Sequence, residues 1–212
     1  MLDHSGPTEP TPVAPERPTW FRGFIQGKTR IALAWIFAVL LAFSARQYPN
    51  GAGIIVCFLG ATIRFWASGY LRKDARPAVG GPYAMVRNPL YLGTYLMAVG
   101  TALSIGNWVL LGAVSVLFAV IYHFIILDEE EKLIRIFGPP YARYCTLVPR
   151  FFPKLWPVSI SRLSEVNPEP AHHRYSWPIS MKNKAYEAYA SFGGLVGWVI
   201  LMAYLWQNLL NR

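Results

Sequence analysis

Charge is scarce in this chain: 15% of its 212 residues are Asp, Glu, Lys or Arg, against roughly 25% in ordinary soluble domains. With 54% hydrophobic residues and a mean hydropathy of +0.29, that shortage excludes both a typical soluble domain and a wholly disordered chain. Cysteine is scarcer still. Cys57 lies in an apolar run and Cys145 in a polar segment, so no disulfide framework or structural zinc site is expected, and a reducing compartment fits. No Gly-x-Gly-x-x-Gly follows a strand pattern, which removes a soluble Rossmann-type enzyme. No segment alternates apolar and polar residues as a barrel strand does.

Long apolar runs are what the chain has instead. Residues 31–47, 52–71, 90–105, 108–127 and 192–210 each approach the roughly 20 residues that cross a hydrocarbon core. The turn-prone Tyr48-Pro49-Asn50-Gly51 joins the first two runs into one expected hairpin. Gly106-Asn107 joins the third and fourth into another. The expected fold is all-α, a polytopic membrane helical bundle of about five transmembrane helices. Residues 1–19, rich in Pro, Thr and Glu, read as a disordered tail without a cleavable signal peptide. Residues 20–153 form the expected membrane core, and 154–212 a cytosolic strap followed by an extra C-terminal span.

Charge placement orients the bundle. With the N-terminus in the cytosol and five crossings, seventeen Lys and Arg fall on the cytosolic side, while only Arg46 and Arg212 fall opposite. This positive-inside bias accounts for the formal charge of +9 without nucleic acid. Trp20, Trp66, Trp108 and Trp206 suit an interfacial aromatic belt.

Two segments share the cytosolic boundary. In Arg87-Asn88-Pro89, Asn88 is a favoured N-cap and Pro89 a favoured first helical residue, so a helix starts there with an anion-binding end beside the Arg87 charge. Asp128-Glu129-Glu130-Glu131 is the chain's one acidic cluster. Taken alone, it reads either as solvated carboxylates or as acceptors for a cation or sugar hydroxyls. Arg64 is a charge within the second run, which is unfavourable in a membrane. Gly60, Arg64 and Ser68 recur at four-residue spacing and place Arg64 toward the bundle interior. Adjacent His172-His173 do not close a metal site, and none is expected. Gly193, Gly194 and Gly197 suit packing against another helix, within the chain or in a homodimer.

The stretch Gly81-Pro82-Tyr83 through Arg87-Asn88-Pro89-Leu90-Tyr91-Leu92-Gly93 resembles the first signature of isoprenylcysteine carboxyl methyltransferases and phospholipid methyltransferases. Glu129-Glu130-x-x-Leu133, Phe137-Gly138, Tyr141, Tyr144 and Val148-Pro149-Arg150 with Pro153 resemble the second. The resemblance implies an integral membrane methyltransferase that uses S-adenosylmethionine on a lipid or lipidated acceptor from the bilayer. It also implies a cofactor site built from Tyr83, Arg87, Asn88, Pro89, Tyr91, Gly93, Glu129, Glu130, Tyr141 and Tyr144. Arg87, Asn88 and Glu130 are the expected catalytic group, and Arg64 the expected substrate contact. Where that family has His, this chain has Asn88, which cannot act as an acid or base near neutral pH. The rival readings are a non-catalytic membrane scaffold of the same fold and a reductase using a nicotinamide cofactor.

Overall fold

A computed structural model of the chain describes residues 28–72 and 76–210. The tail at 1–19 and Trp20, Arg22, Lys73 and Arg212 lie outside the described residues. Every regular element among those described is helical. Helix α1 spans Lys28–Ser44, α2 Gly51–Ser68, α3 Pro89–Ile105 and α4 Trp108–Phe137. Beyond them lie α5 at Pro139–Leu147, α6 at Ile160–Ser164, α7 at Trp177–Lys182 and α8 at Tyr186–Leu205.

Three helices are long and apolar enough to cross a membrane: Gly51–Ser68, Trp108–Phe137 and Tyr186–Asn208. The shorter α3 runs antiparallel to α2 along its whole length, so it covers the same depth. At one end Asn50 donates from Nδ2 to the carbonyls of Leu103 and Ser104 at 2.8 and 3.0 Å, and its Oδ1 caps α2 through the Gly53 amide. At the other end the Arg64 guanidinium reaches the Thr94 hydroxyl. Between these ends the backbones nearly touch. A Cβ on Gly100 would stand 2.3 Å from the Cys57 nitrogen, so only glycine permits the approach.

Among the described residues, α1 and α2 do not form the packed hairpin expected from sequence. Helix α1 rests on α8, where the indoles of Trp198 and Trp206 donate to the carbonyls of Ala38 and Ala42 at 3.2 and 2.8 Å. Leu41 of α1 is buried with Ala102, Leu110 and Val114 of α3 and α4. The reason is seam capacity: the small-residue face of α2 is already occupied by α3. Among the described residues, Gly193, Gly194 and Gly197 of α8 meet no other atom within 4 Å of a built Cβ.

Helix α4 continues past its apolar part as one 30-residue element. It stops at Gly138, because Pro139 and Pro140 lack the amides needed to continue. The overhang carries the acidic cluster beyond the bundle and docks α5 against it. Tyr144, Val148, Leu163 and Val79 then form a small second core with Tyr141 and Val166.

Candidate functional site

The loop before α3, the α4 overhang and α5 enclose a cavity of about 460 Å³, within the roughly 300–1,000 Å³ usual for small-ligand sites. Arg87, Asn88, Pro89 and Tyr91 contribute one wall, Tyr83, Tyr141 and Tyr144 another, and Arg64 the floor. Glu129 lines it from α4 together with Leu133 and Phe137. These three recur at four-residue steps and so share a face. The Glu129 carboxylate accepts the Tyr91 phenol hydrogen at 2.6 Å.

Glu130 sits elsewhere. Its side chain is 6% exposed and does not line the cavity. Arg150 Nε donates to Glu130 Oε2 at 3.0 Å, and Arg87 Nε stands 3.4 Å from Oε1. Asn88 Nδ2 lies 3.4 Å from the same Oε1 and donates to the Arg150 carbonyl at 3.1 Å. The expected side-chain cap is therefore absent. Asn88 occupies the N-cap position of α3 with no side-chain hydrogen bond to the helix, because its amide is drawn to the buried carboxylate behind it. A buried carboxylate needs such partners, and here it fixes the direction of Arg87.

Gly93 does not line the cavity either. A Cβ there would meet Arg64 Cγ at 2.6 Å and the Gly60 carbonyl at 2.6 Å, so its small size lets Arg64 pass between α2 and α3. Among the described residues, Arg64 Nε is buried without a hydrogen-bond partner, as is Arg72 Nε. Asp128 and Glu131, by contrast, pair with Lys132 and Arg135 one turn along the helix surface.

Three phenols of the site are held neutral. Burial pushes Tyr83, Tyr141 and Tyr144 well above the usual phenol range, with smaller contributions from Glu129 and Tyr91 at Tyr83. Burial likewise raises the Cys145 thiol, against the opposing pull of Arg87. The Tyr144 hydroxyl donates to the Tyr83 carbonyl at 2.7 Å, tying α5 to the loop.

Several lining groups were not singled out in the sequence. Arg72, Arg76, Thr94 and Tyr122 all face the cavity, and none of the four belongs to the two signatures read in the sequence. The strap lines no part of the cavity but supports its edge, in a way that sequence could not assign. Asn167, fully buried, donates to the Pro77 carbonyl at 2.9 Å and lies 2.7 Å from His172 Nδ1. His173 Nε2 contacts the Asn167 carbonyl at 2.7 Å. The two histidines thus brace the strap against the Pro77-Ala78 edge of the cavity. Among the described residues, no three His, Cys, Asp or Glu side chains are grouped to hold a metal ion.

A second cavity of about 320 Å³ opens among the helices, lined by apolar side chains such as Phe37, Leu40, Met97, Leu117 and Leu195. It shares Arg64, Thr94 and Tyr122 with the first, so a polar chamber and an apolar chamber meet at one arginine.

Residues 32–139, about half of the chain, match the phospholipid methyltransferase family. The chain belongs to that family. This phospholipid methyltransferase family member is an integral membrane protein, and the match ends where α5 begins. Among its relatives is the nickel-cobalt-cadmium resistance protein NccN of Alcaligenes xylosoxydans xylosoxydans. It is 29% identical over 133 residues, which are 62% of this chain and 58% of that protein. The cobalt-zinc-cadmium resistance protein CzcN of Cupriavidus metallidurans is 28% identical over 152 residues, 64% of this chain and 70% of the relative. The protein-S-isoprenylcysteine O-methyltransferase of Schizosaccharomyces pombe is 35% identical over 81 residues, 38% and 34% of the two chains. The chain therefore spans little more than half the length of the first of these relatives. No solved structure matches it.

Proposed function

We propose that this protein transfers a methyl group from S-adenosylmethionine to a lipid or lipidated acceptor at the cytosolic face of the membrane. The acceptor is a phospholipid amine or a prenylcysteine-type carboxylate. The observation that carries this reading is the junction of the two chambers at Arg64, Thr94 and Tyr122. One chamber suits a polar, zwitterionic cofactor and the other an apolar chain.

The residues present fit that cofactor. Arg87 and Arg72 offer cations for a carboxylate, and the Nε of Arg72 has no hydrogen-bond partner among the described residues. Glu129 offers an acceptor for an amino group or ribose hydroxyls, while Tyr83, Phe137 and Tyr141 supply aromatic surface. S-adenosylmethionine would supply a methyl group already activated on a sulfonium, so the protein needs mainly to align, desolvate and hold charge.

Each side chain has a task under this reading. Arg64, with its unpartnered Nε, draws the acceptor's anionic group to the floor of the polar chamber. Glu130 and Asn88 act through Arg87 as positioning residues, since neither carboxylate oxygen of Glu130 faces the cavity. Methylation of a carboxylate releases no proton. An amine must shed one, and Glu129 is the carboxylate that lines the chamber and can receive it. The neutral phenols of Tyr83 and Tyr141 cannot serve as bases.

The test is methyl transfer by purified protein in vesicles of total lipid extract, with tritium-labelled S-adenosylmethionine. Label in the lipid fraction is the expected result, and Arg64→Ala should lower it by roughly a hundredfold if a charged contact of about 3 kcal/mol is lost. Label released as volatile methanol by base marks a carboxylate acceptor, and base-stable label marks an amine. No incorporation into any lipid, with the protein folded, would overturn the reading.

A further inference from the structure

After α5 the chain runs as an irregular segment whose large apolar side chains are bare. Phe152, Leu155, Trp156 and Ile160 are 83, 90, 83 and 66% exposed. The backbone beneath them is not loose. The Arg87 amide donates to the Pro149 carbonyl at 2.9 Å, and the amides of Lys154 and Val158 donate to Met85 and Ala84 at 3.0 Å each. Lys154 Nζ also donates to the Leu147 carbonyl at 2.8 Å. A segment pinned on its inner edge and apolar on its outer edge has a built outer face, and contiguous exposed apolar surface of this kind marks an interaction site.

Depth identifies the partner. Residues 84–87 immediately precede Pro89, where α3 begins, so the pinned segment lies at the level where the chain enters the bundle. Its first residue reaches deeper. The Phe151 ring packs 5.8 Å from that of Tyr95 and 6.1 Å from that of Phe118. Tyr95 is six residues into α3, roughly 9 Å along the axis, and Phe118 is ten residues, roughly 15 Å, before Asp128. Phe151 therefore lies against the flanks of two bundle helices, inside the zone that apolar α4 marks as membrane. Phe152, next in sequence, faces outward from there and lines with Phe151 a cavity of about 270 Å³ that also includes His123 and Arg150.

Charge agrees with depth. Residues 149–164 contain Arg150, Lys154 and Arg162 and no acidic residue, a pattern that anionic headgroups attract. Exposed Trp beside Lys and Pro suits the boundary between headgroups and acyl chains.

We infer that residues 151–160 form an interfacial wedge that inserts Phe152, Leu155 and Trp156 into the headgroup layer of an anionic bilayer. The wedge lies outside the residues that match the family. It ties Arg150, and through it the Glu130 carboxylate, to the membrane surface, so the polar chamber is referenced to the depth at which lipid headgroups lie. The inference does not depend on the methyl-transfer reading.

The test labels Leu155→Cys, and separately Trp156→Cys, with an environment-sensitive fluorophore in a Cys145→Ser background. Cys57, 1% exposed, stays unlabelled. The full chain is reconstituted in phosphatidylcholine–phosphatidylglycerol vesicles containing lipids doxyl-labelled near the headgroup. At 155 and 156 we expect blue-shifted emission, shielding from aqueous iodide, and quenching by the doxyl lipid at least about threefold greater than at a Pro168→Cys control on the strap. Red-shifted emission with iodide quenching at both positions would overturn the inference, and would make the same face a surface for a water-borne protein instead. Both side chains are bare, so labelling them leaves the fold intact.

Discussion

Within the bundle, α2 and α3 meet through residues that are nearly absent: Gly53 of one lies against Ser104 of the other, and Gly100 against Cys57. At its boundary, Arg87, Glu130 and Arg150 meet through full charges, with the carboxylate 6% exposed. In a medium without water a helix pair gains little from burying apolar groups, so close backbone packing and a few side-chain bonds hold the seam. The boundary accommodates ions because each buried charge there has an opposite one in reach. The seam therefore tolerates almost no added volume, whereas the knot tolerates almost no loss of charge.

That contrast is broken most severely at Gly100. A side chain there must push the backbones of α2 and α3 apart, which exceeds the ~1–3 kcal/mol of ordinary overpacking. Gly100→Leu should yield no monodisperse protein by size-exclusion chromatography in detergent, while Gly112→Ala, with open space around its Cβ position, behaves as wild type. If Gly100→Leu folds normally, the seam is not as drawn.

Next in size is Glu130→Ala, which strands two arginines. Breaking a buried pair costs roughly 3–5 kcal/mol, and Arg150 is 40% exposed, so the loss should lie near 3. Glu131→Ala breaks a single-turn pair with Arg135, which is 49% exposed, and strands no second arginine of the site, so it should cost about 1 kcal/mol or less. Thermal denaturation of both variants checks the ratio. Calorimetric titration with S-adenosylhomocysteine should show binding weakened in the first far more than in the second, and equal effects would remove Glu130 from the site's support.

Asn88 sharpens the comparison further. Because its amide bonds to Glu130 and the Arg150 carbonyl rather than to the helix, Asn88→Ser is too short to replace either contact and should cost about 1–2 kcal/mol. Asn88→His keeps one N–H and should fall between Ser and wild type. If instead Asn88→Ser is neutral in denaturation and in initial transfer rate, the residue serves as a simple cap.

The smallest effect concerns pH. The folded state holds the phenol protons of Tyr83, Tyr141 and Tyr144 more tightly than the unfolded chain does, where phenols titrate near about 10. The stabilisation from these groups is complete below that pH and is lost as pH rises toward the folded values. The melting temperature should be unchanged by these groups from pH 7 to 9 and fall above about 10. A Tyr83→Phe, Tyr141→Phe double variant should flatten the fall.

Much of the bundle was legible in the sequence because helix formation and membrane insertion respond to local composition: the apolar runs, the breaks between them at residues 48–51 and 106–107, and Pro89 at a helix start. Local signal also brought Arg64 inward, since four-residue spacing is a property of one helix. It could not say that α1 rests on α8, because both are apolar all round and nothing along either chain names its partner.

Glu129 and Glu130 show where the local signal stops. As neighbours on a helix they point about 100° apart, so the sequence determined that they differ and left open which one is buried. The tertiary structure decided it. Arg87 and Arg150 approach from other segments on the side of Glu130, while Tyr91 of α3 meets Glu129. The energy of a carboxylate depends on the charges within a few ångströms of it, and those charges lie 20 to 43 residues away in sequence.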